Sequence, residues 1–279
     1  MKTLIAGPWV GEFGWELAAW QGDIRALSKN FDQTLVISRE NSKALYEDFA
    51  DKFYTYESSV GLSDAFFMHN LDPAAAFKEA VVANKIELNK DTSVLIPRRI
   101  GIPPHTHYTT HVMLGEFVVQ PKYVCFGKKG DASCDYVFHM RNRDLRKEDN
   151  WSLENWIKLA ELLGGNIACI GTLEESLCLD SATDLRGIPL DELFNVLRNA
   201  GCVMGPSSGP MHLAALCDSP HVVWSIPQNR ERYQENWNPI GAPVLFLDEH
   251  DWQPTPEYVY QNYINWLHVE GAVSKGETK

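Results

Sequence analysis

The stretch AGCVMGPSSGPMHLAALCDSPHVVWS, residues 200–225, decides the fold. Its apolar run Cys202–Met204 has the character of a buried strand and stops at Gly205. Ser207, Ser208 and Gly209 then precede a run whose apolar face carries Leu213 and Leu216. A short apolar strand that opens through small residues into a helix is the βα unit of a parallel sheet. At such a helix start the first backbone N–H groups lack intrahelical partners and the helix dipole is positive, so a phosphate is attracted. No acidic residue stands between 200 and 217 to oppose it. A capped βα turn without a ligand has the same sequence, so both readings stay open at this point.

Outward from there, strands are expected at 2–6, 34–38, 93–96, 135–139, 166–170, 201–204 and 221–225. Helices are expected at 15–29, 40–52, 73–84, 152–163, 190–199 and 209–217, with Ser152 followed by Glu154, and Pro189 before Leu190, as start signals. This alternation predicts an α/β chain with parallel sheets covered by helices. The stretch 97–121, PRRIGIPPHTHYTTHVMLGEFVVQP, is rich in Pro and His, lacks a period and reads as part of a connection between two Rossmann-like halves. The boundary falls near 120, giving domains at 1–120 and 121–250. In the tail, Thr255 is an N-cap, Pro256 a first helical residue, and aromatic side chains spread over 255–268. Residues 251–279 are therefore expected to form a C-terminal helix that packs back across the domains.

A hydrophobic fraction of 44% and a charged fraction of 22% in 279 residues describe an ordinary folded chain. The net charge of −12 opposes nonspecific adhesion to nucleic acid or acidic lipid. No run approaches the ~18 apolar residues of a membrane span, and no signal-type segment opens the sequence; a cytoplasmic location is expected. Six cysteines without CxxC or paired metal spacing predict reduced, mostly buried thiols.

The first loop raises a different chemistry. AGPWVGEFGWELAAW, residues 6–20, sets Glu12 and Glu16 among glycines and aromatics. Phosphate repels carboxylates, so either this loop is not the phosphate site or the carboxylates serve a second substrate. Gly7, Gly11 and Gly14 are spaced G-x-x-x-G-x-x-G rather than G-x-G-x-x-G, which weakens the alternative of an NAD(P)-dependent oxidoreductase.

The segment DLRGIPLDELFNVLRNAGCVMGPSSGPMHLAALCDSP resembles the C-terminal half of glycosyltransferase family 9, the ADP-heptose:lipopolysaccharide heptosyltransferases. That family's pattern runs from a DLxGxxxLxEL helix to a strand and NDSGPMHLAAALGxP. NWSLENWIKLAELL, beginning at Asn150, is similar to the helix after its first C-domain strand, and Gly11-Glu12 is similar to the Gly-Asp pair of its first loop. The resemblance implies a GT-B fold, with two Rossmann-like domains whose parallel sheets face a cleft. It implies an acceptor domain at 1–120, a nucleotide-sugar donor domain at 121–250, and a carboxylate base at Glu12. The carboxylates would face the acceptor, and the phosphate would sit across the cleft. Ser207 stands where the family usually has Asp, and Pro206 where it has Asn. HMRNRD, 139–144, resembles the H-x-R-x-x-D motif of several fucosyltransferases, whose Arg binds the donor diphosphate.

The implied activity is an inverting glycosyl transfer, which needs a base for the acceptor hydroxyl and positive charge for the departing diphosphate. Glu12 is the candidate base, and Glu16, about one turn on, is a second candidate or a structural carboxylate. Phe13 and Trp15 beside Glu12 would withdraw water and favour the neutral acid, raising its pKa. Arg141, Arg143, Ser207, Ser208, Gly209, Pro210 and His212 are the candidate donor-binding residues, with backbone N–H groups at 208–210. His212 also reads as a buried structural histidine, and the arginines as a solvated strand end. Glu231, in NRERYQENWNP (229–239), either accepts from ribose hydroxyls or lies in a solvated loop.

His105, His107 and His111 lack the partners of a metal site, and no D-x-D motif bridges a metal to a donor. No essential metal or other cofactor is expected, the nucleotide sugar being a co-substrate. UDP-, GDP- and ADP-sugars are all admissible. The acceptor is a glycan, a lipid-linked sugar or a small metabolite. A hydroxymethylated base in DNA is disfavoured by the acidic charge, despite the basic runs Arg98-Arg99, Lys128-Lys129 and 141–147. The absence of the family's Asp at Ser207 leaves a catalytically inactive glycan-binding relative as a further alternative.

Overall fold

The structure, a computed structural model, describes residues 1–57, 73–102, 105–109, 120–132 and 134–276, without the side chains of Pro73, 98–102, 105–109 and 270–276. The chain divides into two units, Met1–Tyr123 and Val124–Lys279.

In unit 1, β1 (Thr3–Ala6), β2 (Gln33–Ser38), β3 (Lys52–Thr55) and β4 (Thr92–Leu95) form a sheet of order β3-β2-β1-β4 in which all neighbours are parallel. Every residue of β1 is buried, as expected of a central strand covered on both faces. Ile5, Leu35 and Ile37 pack with Ala80 and Ile86, and Ala80 belongs to the helix Pro73–Ala83. The expected helix at 15–29 is present in three pieces: α1 (Phe13–Trp15), a π-helical segment Glu16–Trp20, and α2 (Gln21–Ser28). The helix at Pro73–Ala83 is α3.

One expectation is corrected in unit 1. A helix does not run through 40–52: Glu40–Leu45 is a 3-10 segment and Lys52–Thr55 is β3. The open edge of β2 takes 52–55 as a parallel partner, Val36 opposite Phe53, and this pairing overrides the helical pattern. Within the connection at 97–121, β5 (Arg98–Ile102) and β6 (His105–Thr109) pair as an antiparallel hairpin, which the sequence reading did not include.

In unit 2, β7 (Cys134–Phe138), β8 (Ile167–Cys169), β9 (Thr183–Asp184), β10 (Ala200–Pro206), β11 (His221–Trp224) and β12 (Val244–Leu247) form a second all-parallel sheet. Its order is β12-β11-β10-β7-β8-β9. The winding reverses between β7 and β10, and in open parallel sheets ligands collect beyond the strand ends at that reversal. The helices are α4 (Leu153–Leu163), α5 (Leu190–Arg198), α6 (Gly209–Leu216) and α7 (Pro256–Gly276). Ser152 Oγ accepts the Asn155 N–H, and Thr255 Oγ1 accepts the Tyr258 N–H, so both expected caps form.

The core of unit 2 is built on Phe138, Trp151, Trp156 and Trp224, joined by Leu159, Met204, Val259 and Tyr263. Ring centroids are 4.9 Å apart for Trp151–Trp156 and Trp151–Trp224, and 5.3 Å apart for Trp156–Trp224. Helix α7 packs on α4 and β12. Four of the six cysteines are buried, and all are free thiols. No helix among the described residues is long and apolar enough to cross a membrane.

Candidate functional site

Pairing of β7 with β10, Phe138 opposite Met204, brings the segment after His139 beside the turn that starts α6. Arg141 is 5% exposed. Its Nη1 donates to the Ser207 carbonyl (2.8 Å), its Nη2 donates to the Asp149 carbonyl, and its guanidinium lies over the Trp252 ring at 4.9 Å. Its Nε has no hydrogen-bond partner among the described residues. Burial, and then the nearby Arg143, lower its pKa to about 9, which leaves it charged at neutral pH. Arg143 differs in turning its Nη2 to the buried Asp149 carboxylate at 2.8 Å. The two arginines of the motif therefore have unequal charge compensation, and Arg141 is the one that meets carbonyls.

Ser208 caps α6 in extended geometry without a side-chain cap hydrogen bond. Its hydroxyl instead lies 2.9 Å from His139 Nδ1. Burial, with Arg141 and Arg143 adding to it, lowers the His139 pKa to about 3, so the ring is neutral. The Ser208 N–H donates to Tyr233 Oη (2.9 Å), and Tyr233 Oη donates to Ser207 Oγ (3.1 Å). Because Pro210 has no N–H and that of Ser208 is taken, Gly209 and Met211 are the remaining donors of the first turn, rather than 208–210 as the sequence implied.

His212 is 3% exposed, stacks on Tyr233 at 4.0 Å and meets the Trp237 edge at 4.6 Å. Its Nδ1 has no hydrogen-bond partner among the described residues. Burial, then Arg232 and His221, hold its pKa well below the usual histidine range. Glu231 is exposed and accepts from Asn236 Nδ2 at 3.3 Å. Arg141, Ser207, Ser208, Gly209, Pro210 and His212 thus share one turn. Arg143 pairs with Asp149 instead, and Glu231, exposed, meets Asn236 rather than this turn. This arrangement, with neutral imidazoles, a buried guanidinium and a positive helix end, suits a multiply charged oxyanion.

In unit 1, the loop after β1 crosses the carboxyl ends of β4 and β2. The Gly7 N–H donates to the Leu95 carbonyl (2.8 Å) and the Trp9 N–H to the Ile37 carbonyl (3.2 Å). Gly7 adopts φ +117°, and a Cβ there would collide with the Ile37 carbonyl oxygen, so the first glycine serves the backbone path. Trp9 Nε1 donates to the Glu12 carbonyl at 3.3 Å, and the Glu16 N–H donates to the same oxygen at 3.2 Å. Glu12 is half-buried, with both carboxylate oxygens shielded from solvent, and Phe13 and Trp15 beside it are also half-buried.

Glu16 has 0% exposure. Its carboxylate accepts from Ser38 Oγ (2.5 Å), Ser42 Oγ (2.8 Å) and Tyr46 Oη (2.7 Å). Burial, and then Glu16, push the Tyr46 pKa well above the usual tyrosine range, so it remains a donor.

The sequence reading missed Trp252, Arg39, Ser42 and Tyr46, and gave Tyr233 only as part of the 229–239 segment, without a role of its own. Aromatic residues in a polar loop, as in the Tyr233 segment, were the only signal available. Among the described residues no three His, Cys, Asp or Glu side chains gather as a metal-binding group. His111, and the side chains of His105 and His107, lie outside what is described.

No protein-family model and no curated protein sequence matches the chain. Solved structures do. The glycosyl transferase family 9 protein of Veillonella parvula aligns over 96% of this chain and 97% of its own, with TM-score 0.61 and 12% identity. E. coli heptosyltransferase WaaC with ADP aligns over 95% and 100%, with TM-score 0.60 and 15% identity. The iron-containing heptosyltransferase TibC of enterotoxigenic E. coli, in complex with ADP-D-beta-D-heptose, aligns over 96% and 76%, with TM-score 0.54 and 14% identity. The chain has the α/β, GT-B-type fold of these glycosyltransferases, with two parallel sheets.

Proposed function

We propose that the chain is a nucleotide-sugar-dependent glycosyltransferase that moves a sugar, with inversion, to an acceptor hydroxyl. The observation that carries this reading is Arg141, buried at the β7–β10 reversal beside the α6 start and placed on carbonyls, with no carboxylate ion pair among the described residues. Unit 2 is the donor domain. Arg141 and the Gly209 and Met211 N–H groups receive the diphosphate, and His212 supports them. Negative charge grows on the leaving diphosphate as the anomeric bond breaks, and fixed donors at that point lower the barrier most.

Unit 1 supplies the base. Glu12 takes the proton of the acceptor hydroxyl as that oxygen attacks the anomeric carbon. Its half-buried setting beside Phe13 and Trp15 suits a carboxylate that must accept a proton at neutral pH. Glu16, enclosed by three hydroxyl donors, holds structure instead.

The nucleotides named with WaaC and TibC favour an ADP-sugar over UDP- and GDP-sugars as donor. A glycan, a lipid-linked sugar or a small metabolite is the acceptor, and the net charge of −12 disfavours DNA. Release of nucleoside diphosphate from a panel of ADP-, UDP- and GDP-sugars tests the reading. Release lowered by ~10²-fold or more in Glu12→Gln is expected, whereas nucleotide binding without release by the wild type would make the chain an inactive relative.

Charge neutralisation by Arg141 makes the transfer independent of added metal. The rate should be unaltered in EDTA, and the purified protein should carry no stoichiometric iron, unlike TibC. Activity lost in chelator and restored by magnesium, manganese or iron would overturn this account of the leaving group.

A further inference from the structure

Behind the Glu12 loop, unit 1 buries a charged network assembled from three segments. Glu16 comes from the π-helical stretch, Ser38 and Arg39 from the end of β2, and Ser42 and Tyr46 from the 3-10 segment and the residue after it. Arg39 is 6% exposed. Its Nη1 lies 3.9 Å from the Glu16 carboxylate, too far for a hydrogen bond, and its Nη2 donates to the Gly11 carbonyl at 2.7 Å. Burying two opposite charges is costly, and a packed apolar pair is often at least as stable. Stability alone therefore does not account for an acid and a guanidinium here.

What the pair adds is a fixed Gly11 carbonyl. Gly11 has no side chain to restrict it, and the peptide between Gly11 and Glu12 sets the direction from which the Glu12 side chain leaves the backbone. On its other side, Glu12 is fixed by its carbonyl, which accepts from Trp9 Nε1 and the Glu16 N–H. We propose that Arg39, anchored by Glu16, is a positioning residue for Glu12: it pins the Gly11 carbonyl and thereby aims the base. Glu16 acts through Arg39 and does not touch the substrate. This inference rests on the proposed glycosyl transfer, because it is Glu12's role as base that gives the aim a consequence.

The test compares Arg39→Ala and Arg39→Lys, each alone and combined with Glu12→Gln, by kcat and donor KM for nucleoside-diphosphate release from the sugar-nucleotide panel. Amide hydrogen exchange at 11–16 is measured in parallel. A displaced catalytic group can lower turnover by ~10²-fold. Arg39→Ala should therefore lower kcat by ~10- to 100-fold, leave donor KM within about twofold, and add less than about twofold to the loss in Glu12→Gln. Guanidinium ion at millimolar concentration should recover part of the rate in Arg39→Ala. Exchange at 11–16 should accelerate while Leu4–Ala6 stays protected.

Equal losses in the two backgrounds, or a matching rise in donor KM, would mean a merely structural arginine. If Arg39→Ala does not fold, Arg39→Lys decides, because it keeps the charge but not the fork and should show the same kcat-selective loss. Wild-type protein that releases no nucleoside diphosphate would sink the proposed function, and the kinetic role of Arg39 with it. Unaltered exchange at 11–16 would overturn the anchor itself, whatever the activity.

Discussion

After β1 the chain runs through Gly7–Glu12 into α1; after β10 it runs through Ser207–Ser208 into α6. Both segments leave a central parallel strand where the winding of its sheet reverses. Both bury a carboxylate and a guanidinium nearby, but arrange them differently. In unit 1 the carboxylate Glu16 has no exposure at all and is surrounded by hydroxyl donors, while Arg39 pins the Gly11 carbonyl of the loop. In unit 2 the guanidinium of Arg141 is placed on carbonyls of the turn and of Asp149, while the Asp149 carboxylate pairs with Arg143. In each case the decisive groups come from the loop after a neighbouring strand: Arg39, Ser42 and Tyr46 after β2, His139 and Arg141 after β7. One backbone device thus recurs in both units, and the adjoining loop decides which charged group meets it.

The sharpest way to break this contrast is to neutralise one group on each side. Glu12→Gln should lower turnover by ~10²-fold or more with donor affinity little changed, since a missing general base affects only proton transfer. Steady-state nucleoside-diphosphate release and titration with the donor measure the two separately. Retained turnover would move the base elsewhere. Arg141→Ala should instead weaken nucleoside-diphosphate binding and turnover together, by ~10- to 100-fold for the loss of charge-assisted hydrogen bonds. Calorimetric titration with ADP reads the affinity. Gly209→Asp, which brings a carboxylate to the helix start, should weaken the same binding by roughly tenfold. Unchanged ADP affinity in both folded variants would refute the site.

The units should also differ in their response to acid. His139 and His221 have folded pKa values lowered to about 3 and about 4 by burial, and His212 is held well below its usual range. The unfolded chain binds these protons near pH 6.5 and the folded unit does not, so stability falls as pH falls below about 6.5 and levels only near the folded values. Each such histidine contributes about 1.4 kcal/mol per pH unit within that window. His221→Asn should flatten the dependence by about that amount, read as urea midpoints at pH 7, 6 and 5. Midpoints independent of pH in the wild type would show that the buried rings already charge in the folded state. His139, His212 and His221 all lie in unit 2, so the acid sensitivity that they carry belongs to that unit.

The smallest expected change is that of Tyr233→Phe, which removes one hydroxyl from the Ser207–Ser208 turn and leaves the stack on His212. A net hydrogen-bond contribution of about 1 kcal/mol corresponds to a several-fold loss of ADP affinity. No loss would show that the Ser207 hydroxyl and Ser208 N–H hold the turn without it.

The interior strands were legible because they lie under both helical layers and read as unbroken apolar runs, as TLIA of β1 and HVVW of β11 do. β3 was not, since this edge strand has exposed ends, Lys52 and Thr55, around half-buried Phe53 and Tyr54, and borrows its conformation from β2. β12 follows Gly241 and Pro243, which punctuate the sequence as a loop would. At the candidate site, the residues at the helix start were legible from local chemistry, because small residues and an absence of acids show within ten positions. The supporting groups were not. Tyr233 stands 25 positions beyond Ser208, and Arg39 stands 28 beyond Gly11. A single sequence carries no mark of either partnership, nor of the three hydroxyl donors around the Glu16 carboxylate.

Trp151, Trp156 and Trp224 are near enough for their indole transitions to couple, with ring planes inclined by 85°, 55° and 46°. Coupled, tilted chromophores rotate polarised light as a unit, so the core of unit 2 has its own near-ultraviolet dichroic signature. Trp9 and Trp20, 5.4 Å apart and inclined by 37°, give unit 1 a separate one. Were denaturant to loosen one interior before the other, the two signatures would fade in sequence, and light alone would time the two meltings without a label.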